Sequence, residues 1–186
     1  YNLFFIDLWG VMHNGIELYK EAVNVLSEIS ESKKDYILLT NAPRPKKNVE
    51  NFLKKMGLDK NKREKVFTSG EAALNFLKKK HLTHSFYHIG PPRDFDLFVD
   101  FKKNKIKEII KSDYLLCTGL FDDFDKDLNY YKELFINCTS KKMICTNPDL
   151  IVDRGKKREY CAGSVAMVFE KLGGQVVYFG KPHPEV

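Results

Sequence analysis

No stretch of this chain is apolar for long enough to cross a bilayer, and no basic start followed by an apolar run marks a secretion signal. A membrane span is therefore excluded, and a soluble cytoplasmic protein is the expectation. The cysteines Cys117, Cys138, Cys145 and Cys161 form no C-x-x-C pair and no regular framework, which excludes a disulfide scaffold and leaves reduced thiols as the default. Internal repeats and low-complexity linkers are also missing, so composition marks no domain boundary. The net charge of +6 raises the question of nucleic acid, but no helix-turn-helix, RNA-recognition or zinc-finger signature accompanies it. Its lysines come in short runs, Lys46-Lys47, Lys54-Lys55, Lys78-Lys79-Lys80 and Lys102-Lys103, each beside apolar helix positions. That pattern is the solvated face of a helix, and no nucleic-acid partner is expected.

What is present is enough for a real core. At 186 residues the chain suits one domain or two small ones. Leu3 to Leu8 reads as a strand buried on both faces, and Asn14-Gly15 as a tight turn. Tyr19, Ala22, Val23, Leu26 and Ile29 recur at helical spacing ahead of a second apolar strand, Tyr36 to Leu39. Pro45 opens a helix carrying Val49, Phe52, Leu53 and Met56, which Gly57 closes. Thr68 and Glu71 form a capping box before Ala72, Ala73, Phe76 and Leu77. Phe86 to Ile89, Tyr114 to Cys117 and Met143 to Cys145 are further strands, with a helix through Leu128, Tyr131, Leu134 and Phe135 between the last two. A last helix through Ala162, Val165, Ala166, Phe169 and Leu172 leads to the strand Val176 to Phe179. Such alternation predicts an α/β protein with a parallel, right-handed sheet. The apolar run begins almost at Tyr1, and the chain stops just after the loop GKPHPEV, so both ends are expected to continue in a longer polypeptide.

Three of these strands end in polar residues: Asp7 after the first, Thr40-Asn41 after the second and Lys181 after the last. Ligand sites of parallel sheets lie outside the carboxyl ends of the strands, where residues far apart in sequence can converge. A carboxylate, a hydroxyl with amide donors, and an ammonium are what phosphoryl transfer requires. Arg44 follows closely enough to pair with a substrate anion or to be a surface charge at a helix entry. His13 is a candidate proton donor, although a loop histidine facing solvent is the better expectation. His81, His84 and His88 lack a carboxylate or cysteine at ligand spacing, and no zinc site is expected. Asp122, Asp123, Asp125 and Asp127 lack the glycine and terminal Glu of a calcium loop and read as capping residues of a solvated helix turn. Cys161 has no nearby His in sequence, so a catalytic thiol is not expected.

The segments FFIDLWGVMHNG, YILLTNAPRP, VFTSGEAALNFL, TNPDLIV, YCAGSVAMVFEKLGG and YFGKPHPEV together resemble the haloacid dehalogenase superfamily, class IIA, in the family's order and approximate spacing. This branch includes 4-nitrophenylphosphatase-like and sugar or nucleotide phosphatases. The resemblance implies a Rossmann-like parallel-sheet core, residues 1–67 plus 178–186, and an inserted α/β cap, residues 68–177. It implies that Asp7 is a nucleophile that becomes phosphorylated and also binds Mg2+, with the backbone carbonyl of Trp9 as a second metal ligand. Thr40 and Asn41 match its phosphate-binding motif, and Lys181 the lysine that steadies the nucleophile and phosphoryl group. The partner implied is a small phosphorylated substrate, with no nucleic acid or membrane, and a homo-oligomer is left open. One departure is chemical: the family's D-x-D-G reads Asp7-Leu8-Trp9-Gly10, so an indole stands where a carboxylic acid protonates the leaving group. Another is that the acidic loop completing the metal site is expected beyond Lys181. The alternative to an enzyme is a phospho-ligand binding or regulatory protein that kept the scaffold and lost turnover.

Overall fold

The computed structural model describes residues 1–184; Glu185 and Val186, the end of the GKPHPEV loop, lie outside the described residues. Its regular elements alternate along the chain. They are β1 (Leu3–Ile6), α1 (Lys20–Glu31), β2 (Asp35–Thr40), α2 (Lys46–Lys55), α3 (Lys60–Arg63), β3 (Val66–Thr68), α4 (Ser69–Lys80) and β4 (Phe86–Ile89). After 3-10 turns over Pro92–Asn104 come β5 (Tyr114–Cys117), α5 (Leu128–Phe135), β6 (Lys142–Cys145), β7 (Ile151–Arg154), β8 (Lys157–Tyr160), α6 (Ala162–Lys171) and β9 (Gln175–Tyr178).

The strands form two parallel sheets and a hairpin. One sheet has the order β1-β2-β3 and the other β4-β5-β6-β9, while β7 and β8 pair antiparallel by themselves. In the first sheet Tyr36 and Leu38 of β2 pack with Leu8, Leu26 of α1, and Val49 and Leu53 of α2. These apolar positions recur at helical spacing on both helices, which is why each lays one face on the sheet. The second sheet is covered on both faces. Leu115, Cys117, Met143 and Cys145 meet Tyr131 and Phe135 of α5 and Phe169 of α6. On the opposite face Phe86, Tyr114, Leu116 and Ile144 meet Ala73 and Leu77 of α4 and Leu97, Phe98 and Phe101 of the 3-10 turns. Burial on both sides explains why β5 is an unbroken apolar run. Each large side chain so buried stabilises the fold by roughly 1.5–3 kcal/mol.

Two local expectations are met, one of them in half. The Thr68 hydroxyl accepts a hydrogen bond from the Glu71 N–H at 2.9 Å, capping α4, while the Glu71 carboxylate accepts from the Lys46 N–H at 3.0 Å instead of closing the capping box. The Asp127 carboxylate accepts from the Asn129 and Tyr130 N–H groups at the start of α5, so that member of the acidic cluster is a cap. Two differ. β1 is not buried on both faces: Phe4 and Ile6 turn to the core, whereas Leu3 and Phe5 remain 45% and 66% exposed, because no described element covers that side. The hairpin of β7 and β8 was not legible, because its ten residues are mostly charged and both of its faces are largely open to water.

The carboxyl ends of the two parallel sheets meet. The Ser69 hydroxyl at the start of α4 lies 3.0 Å from the Ala42 carbonyl, just past β2, and 2.6 Å from the Thr146 carbonyl, just past β6. A single small side chain thus bridges the loops that follow both sheets.

Candidate active site

Asp7 stands immediately past β1, where the ladder ends and the backbone N–H groups are free to point at a side chain. The Leu8 N–H donates to Asp7 Oδ1 at 2.8 Å. Lys181 Nζ donates to the same oxygen at 2.6 Å and to the Leu39 carbonyl at 2.9 Å. Two residues separated by most of the chain are thereby ion-paired, as the strand-end pattern requires. Asp7 Oδ2 takes no described hydrogen bond, so half of the carboxylate is unencumbered.

Thr40 and Asn41 stand at the end of the neighbouring strand, β2. The Thr40 hydroxyl accepts from the Ala42 N–H at 3.2 Å, folding the chain into a tight turn after β2. Asn41 does something the sequence did not suggest. Its Oδ1 accepts from the Lys181 N–H at 2.7 Å, and its Nδ2 donates to the Lys181 carbonyl at 3.0 Å and to Asp149 Oδ1 at 2.8 Å. The side chain is spent on holding the lysine loop. Gly180 makes this approach feasible: with φ +132°, a Cβ there would come 2.8 Å from Asn41 Oδ1 and 2.4 Å from Pro148.

Arg44 is drawn elsewhere. Its Nε is 3.3 Å from Asp94 Oδ1, a carboxylate only 4% exposed, so the described partner of Arg44 is Asp94. Burial pushes the Asp94 carboxyl above its ordinary pKa, against the pull of Arg44. Beside it, His88 Nε2 lies 2.8 Å from the Thr118 hydroxyl. Burial, aided by Lys105, holds the His88 pKa down at about 3 against an ordinary 6.5. The unfolded chain therefore binds a proton on His88 that the folded one refuses between those values. The stability His88 contributes is complete above its unfolded pKa and declines as pH falls toward 3. Thermal unfolding followed from pH 7.5 to 4 should show a shallower acid decline, by a few kcal/mol at the acid end, for His88→Gln than for the parent. Parallel curves would show that His88 does not carry this dependence.

Trp9 and His13 depart most from expectation. The Trp9 Nε1–H donates to the Asp153 carbonyl of β7 at 2.8 Å, and the Arg154 guanidinium sits 4.9 Å from the centre of the indole. Trp9 thus ties the hairpin to the loop that follows Asp7. Gly15, at φ +88°, leaves room for the indole, since a Cβ there would lie 2.7 Å from it. His13 does not face solvent: it is 2% exposed, edge-on to both Trp9 and Phe52, with Nδ1 accepting from the Gly15 N–H at 3.0 Å. Packing of the turn against α2 captures it. Burial lowers its pKa, with Arg154 adding to this and Asp7 opposing it.

Asp149, in the loop after β6, was missed. Its carboxyl stands at the rim of the site, close enough to feel Asp7 and Lys181; burial raises its pKa, the Asn41 N–H opposes that, and Asp7 adds to it. No strand-end pattern in the first sheet could have found it, because it belongs to the second. Cys161 is not an activated thiol, since burial pushes its pKa up to about 12.

The described residues hold no group of three or more His, Cys, Asp or Glu side chains able to seat a metal. The donors they do offer are hard oxygens: Asp7 Oδ2 and the Trp9 carbonyl, which accepts no hydrogen bond among the described residues. Two such oxygens fit part of the six-oxygen shell of Mg2+, the rest being water, substrate and other carboxylates.

Residues 4–101 match the family described as haloacid dehalogenase-like hydrolase. A hydrolase of the haloacid dehalogenase-like family from Brucella suis 1330 superposes with a TM-score of 0.89 at 32% identity, over 100% of this chain and 70% of that one. The 4-nitrophenylphosphatase of Thermotoga maritima, at 22% identity, shares the fold with a TM-score of 0.72 over 99% of this chain and 70% of its own. The 5'-nucleotidase YutF of Bacillus subtilis (strain 168) is 26% identical over 193 residues, 98% of this chain and 70% of that protein.

Proposed function

Because this chain belongs to the haloacid dehalogenase-like hydrolases, we propose that it serves a phosphatase that transfers the phosphoryl group of a small ester to Asp7 and then to water. The observation that carries this reading is the 2.6 Å ion pair of Lys181 with Asp7 at the meeting point of the strand ends. An Asp7 oxygen forms a bond to phosphorus as the bond to the leaving oxygen breaks, and the leaving oxygen departs with the electron pair. Lys181 offsets the charge that the equatorial oxygens gather, and in this reading the Thr40-Asn41 turn holds the same oxygens. Mg2+, held through Asp7 Oδ2 and the Trp9 carbonyl, would supply further charge neutralisation. The second sheet, with its hairpin, acts in this reading as the core of a cap formed by residues 68–177, excluding water while the phosphoryl group moves. The phosphatases named among its relatives support the same chemistry.

One observation favours a second reading. With Trp9 tied to the hairpin, no acid stands at the position two residues after the nucleophile, which suits a protein that binds a phospho-ligand without turning it over. A panel of phosphate esters, given to the full-length protein with Mg2+, separates the two. Turnover that EDTA abolishes and Mg2+ restores is the expected result, with a loss of about a hundredfold or more on metal removal. Inorganic phosphate binding without turnover of any ester would establish the second reading instead.

A further inference from the structure

We propose that Asp149, in the loop after β6, is a positioning residue that fixes the Asn41 amide and, through it, the lysine that faces the nucleophile; the inference rests on the phosphatase reading of the site. A lysine ammonium is a point charge on a flexible stem, and little in its own chemistry holds it against one oxygen of a carboxylate. Here the backbone of Lys181 is clamped from both sides by one amide, which accepts its N–H at 2.7 Å and donates to its carbonyl at 3.0 Å. That clamp works in one orientation only. Rotating the amide by half a turn would set its NH2 against the Lys181 N–H and its oxygen against the Lys181 carbonyl.

Asp149 decides between the two orientations. Its Oδ1 accepts the Asn41 Nδ2–H at 2.8 Å, and an ionised carboxylate can only accept, so the rotated amide would face it oxygen to oxygen. The carboxylate is itself held. The Asp149 N–H donates to Asn147 Oδ1 at 2.9 Å, and its carbonyl accepts the Gly163 N–H at 3.1 Å. The preceding residue, Pro148, packs so tightly on Gly180 that a Cβ there would lie 2.4 Å from it. No described hydrogen bond joins Asp149 to Asp7 or to Lys181 Nζ, so its action runs through Asn41. The consequence is a link between the two sheets: the lysine is aligned only while the loop of the second sheet is seated on the first.

The test uses the full-length protein with Mg2+ and 4-nitrophenyl phosphate. Asp149→Ala should lower kcat by about tenfold or more while KM changes by less than about threefold. Asp149→Asn, which still offers an oxygen to Asn41, should restore kcat to within about threefold of the parent with the same pH profile. Two results would overturn the proposal: Asn as damaged as Ala with a limb of the pH profile lost, meaning that the carboxyl moves a proton, or Ala with the parent's kcat and only a lower Tm. A parent that hydrolyses no phosphate ester sinks the phosphatase reading and leaves the positioning to be read by NMR. Asp149→Ala should then shift the Asn41 side-chain amide and Lys181 backbone amide resonances well beyond the shifts caused by Asp149→Asn, and unshifted resonances in Asp149→Ala would refute it.

Discussion

Asp7→Asn should reduce the turnover of every phosphate ester the parent hydrolyses by about ten-thousandfold or more, the scale on which loss of a covalent nucleophile is felt. The substitution is nearly isosteric, and its Oδ1 can still accept from Leu8 N–H and Lys181 Nζ, at the 2.8 and 2.6 Å seen for the carboxylate. What disappears is the charge and the second oxygen. The neutral amide is a poor nucleophile toward phosphorus, its nitrogen lone pair being delocalised into the carbonyl, and an uncharged side chain gives a divalent cation little reason to stay. Stability should hardly change. The ion pair lies partly open to water, with Asp7 40% and Lys181 33% exposed, and such pairs contribute at most about 1 kcal/mol. Steady-state rates on 4-nitrophenyl phosphate, with circular dichroism and thermal melts on the same samples, decide the matter. A variant that melts with the parent and keeps its turnover removes Asp7 from the chemistry.

The second large effect is expected at Trp9. General acid catalysis contributes about a hundred- to ten-thousandfold, roughly 3 to 5 kcal/mol of barrier. A protein without that acid should therefore prefer esters whose leaving group departs unprotonated, and the full-length parent is expected to favour aryl and acyl phosphates over alkyl phosphates by a comparable factor. Trp9→Asp should narrow this preference by speeding alkyl esters selectively. The structure adds a cost to that substitution, because it also removes the bond to the Asp153 carbonyl and the stack on Arg154. A neutral hydrogen bond is worth about 0.5–1.5 kcal/mol and an exposed cation–π contact about 0.5–1, together less than the barrier an acid removes. The net change on alkyl esters should remain an acceleration. Trp9→Phe separates the effects, since it keeps a ring for Arg154, loses the N–H, and gains no acid; it should slow both ester types alike. Equal rates on alkyl and aryl esters in the parent would show that another donor serves the leaving group.

Strand and helix order were legible because the signals are local. Apolar runs bounded by turn residues, the Thr68 cap with Glu71, and helical spacing in α1, α2, α5 and α6 each depend on a few neighbouring side chains. The hairpin β7-β8 was not, because two charged strands exposed on both faces leave no alternation of apolar and polar residues to read. For the same reason β3 went unassigned: three residues are too few to show a period.

Within the site, the sequence by itself determined the chemical types, a carboxylate, a hydroxyl-amide pair and a lysine, each at the end of an apolar strand and in an order that marks the family. It also determined that an indole stands two residues after Asp7, which no fold could alter. Only the tertiary structure decided what these groups touch. It tied the Asn41 amide to Lys181, paired Arg44 with Asp94, buried His13 against Trp9 and Phe52, and brought Asp149 across from the second sheet. The physical reason is range. Propensity and periodicity act over a handful of residues, whereas hydrogen bonds and ion pairs select partners by distance in space, and those partners here lie 140 and 174 positions apart for Lys181 with Asn41 and with Asp7.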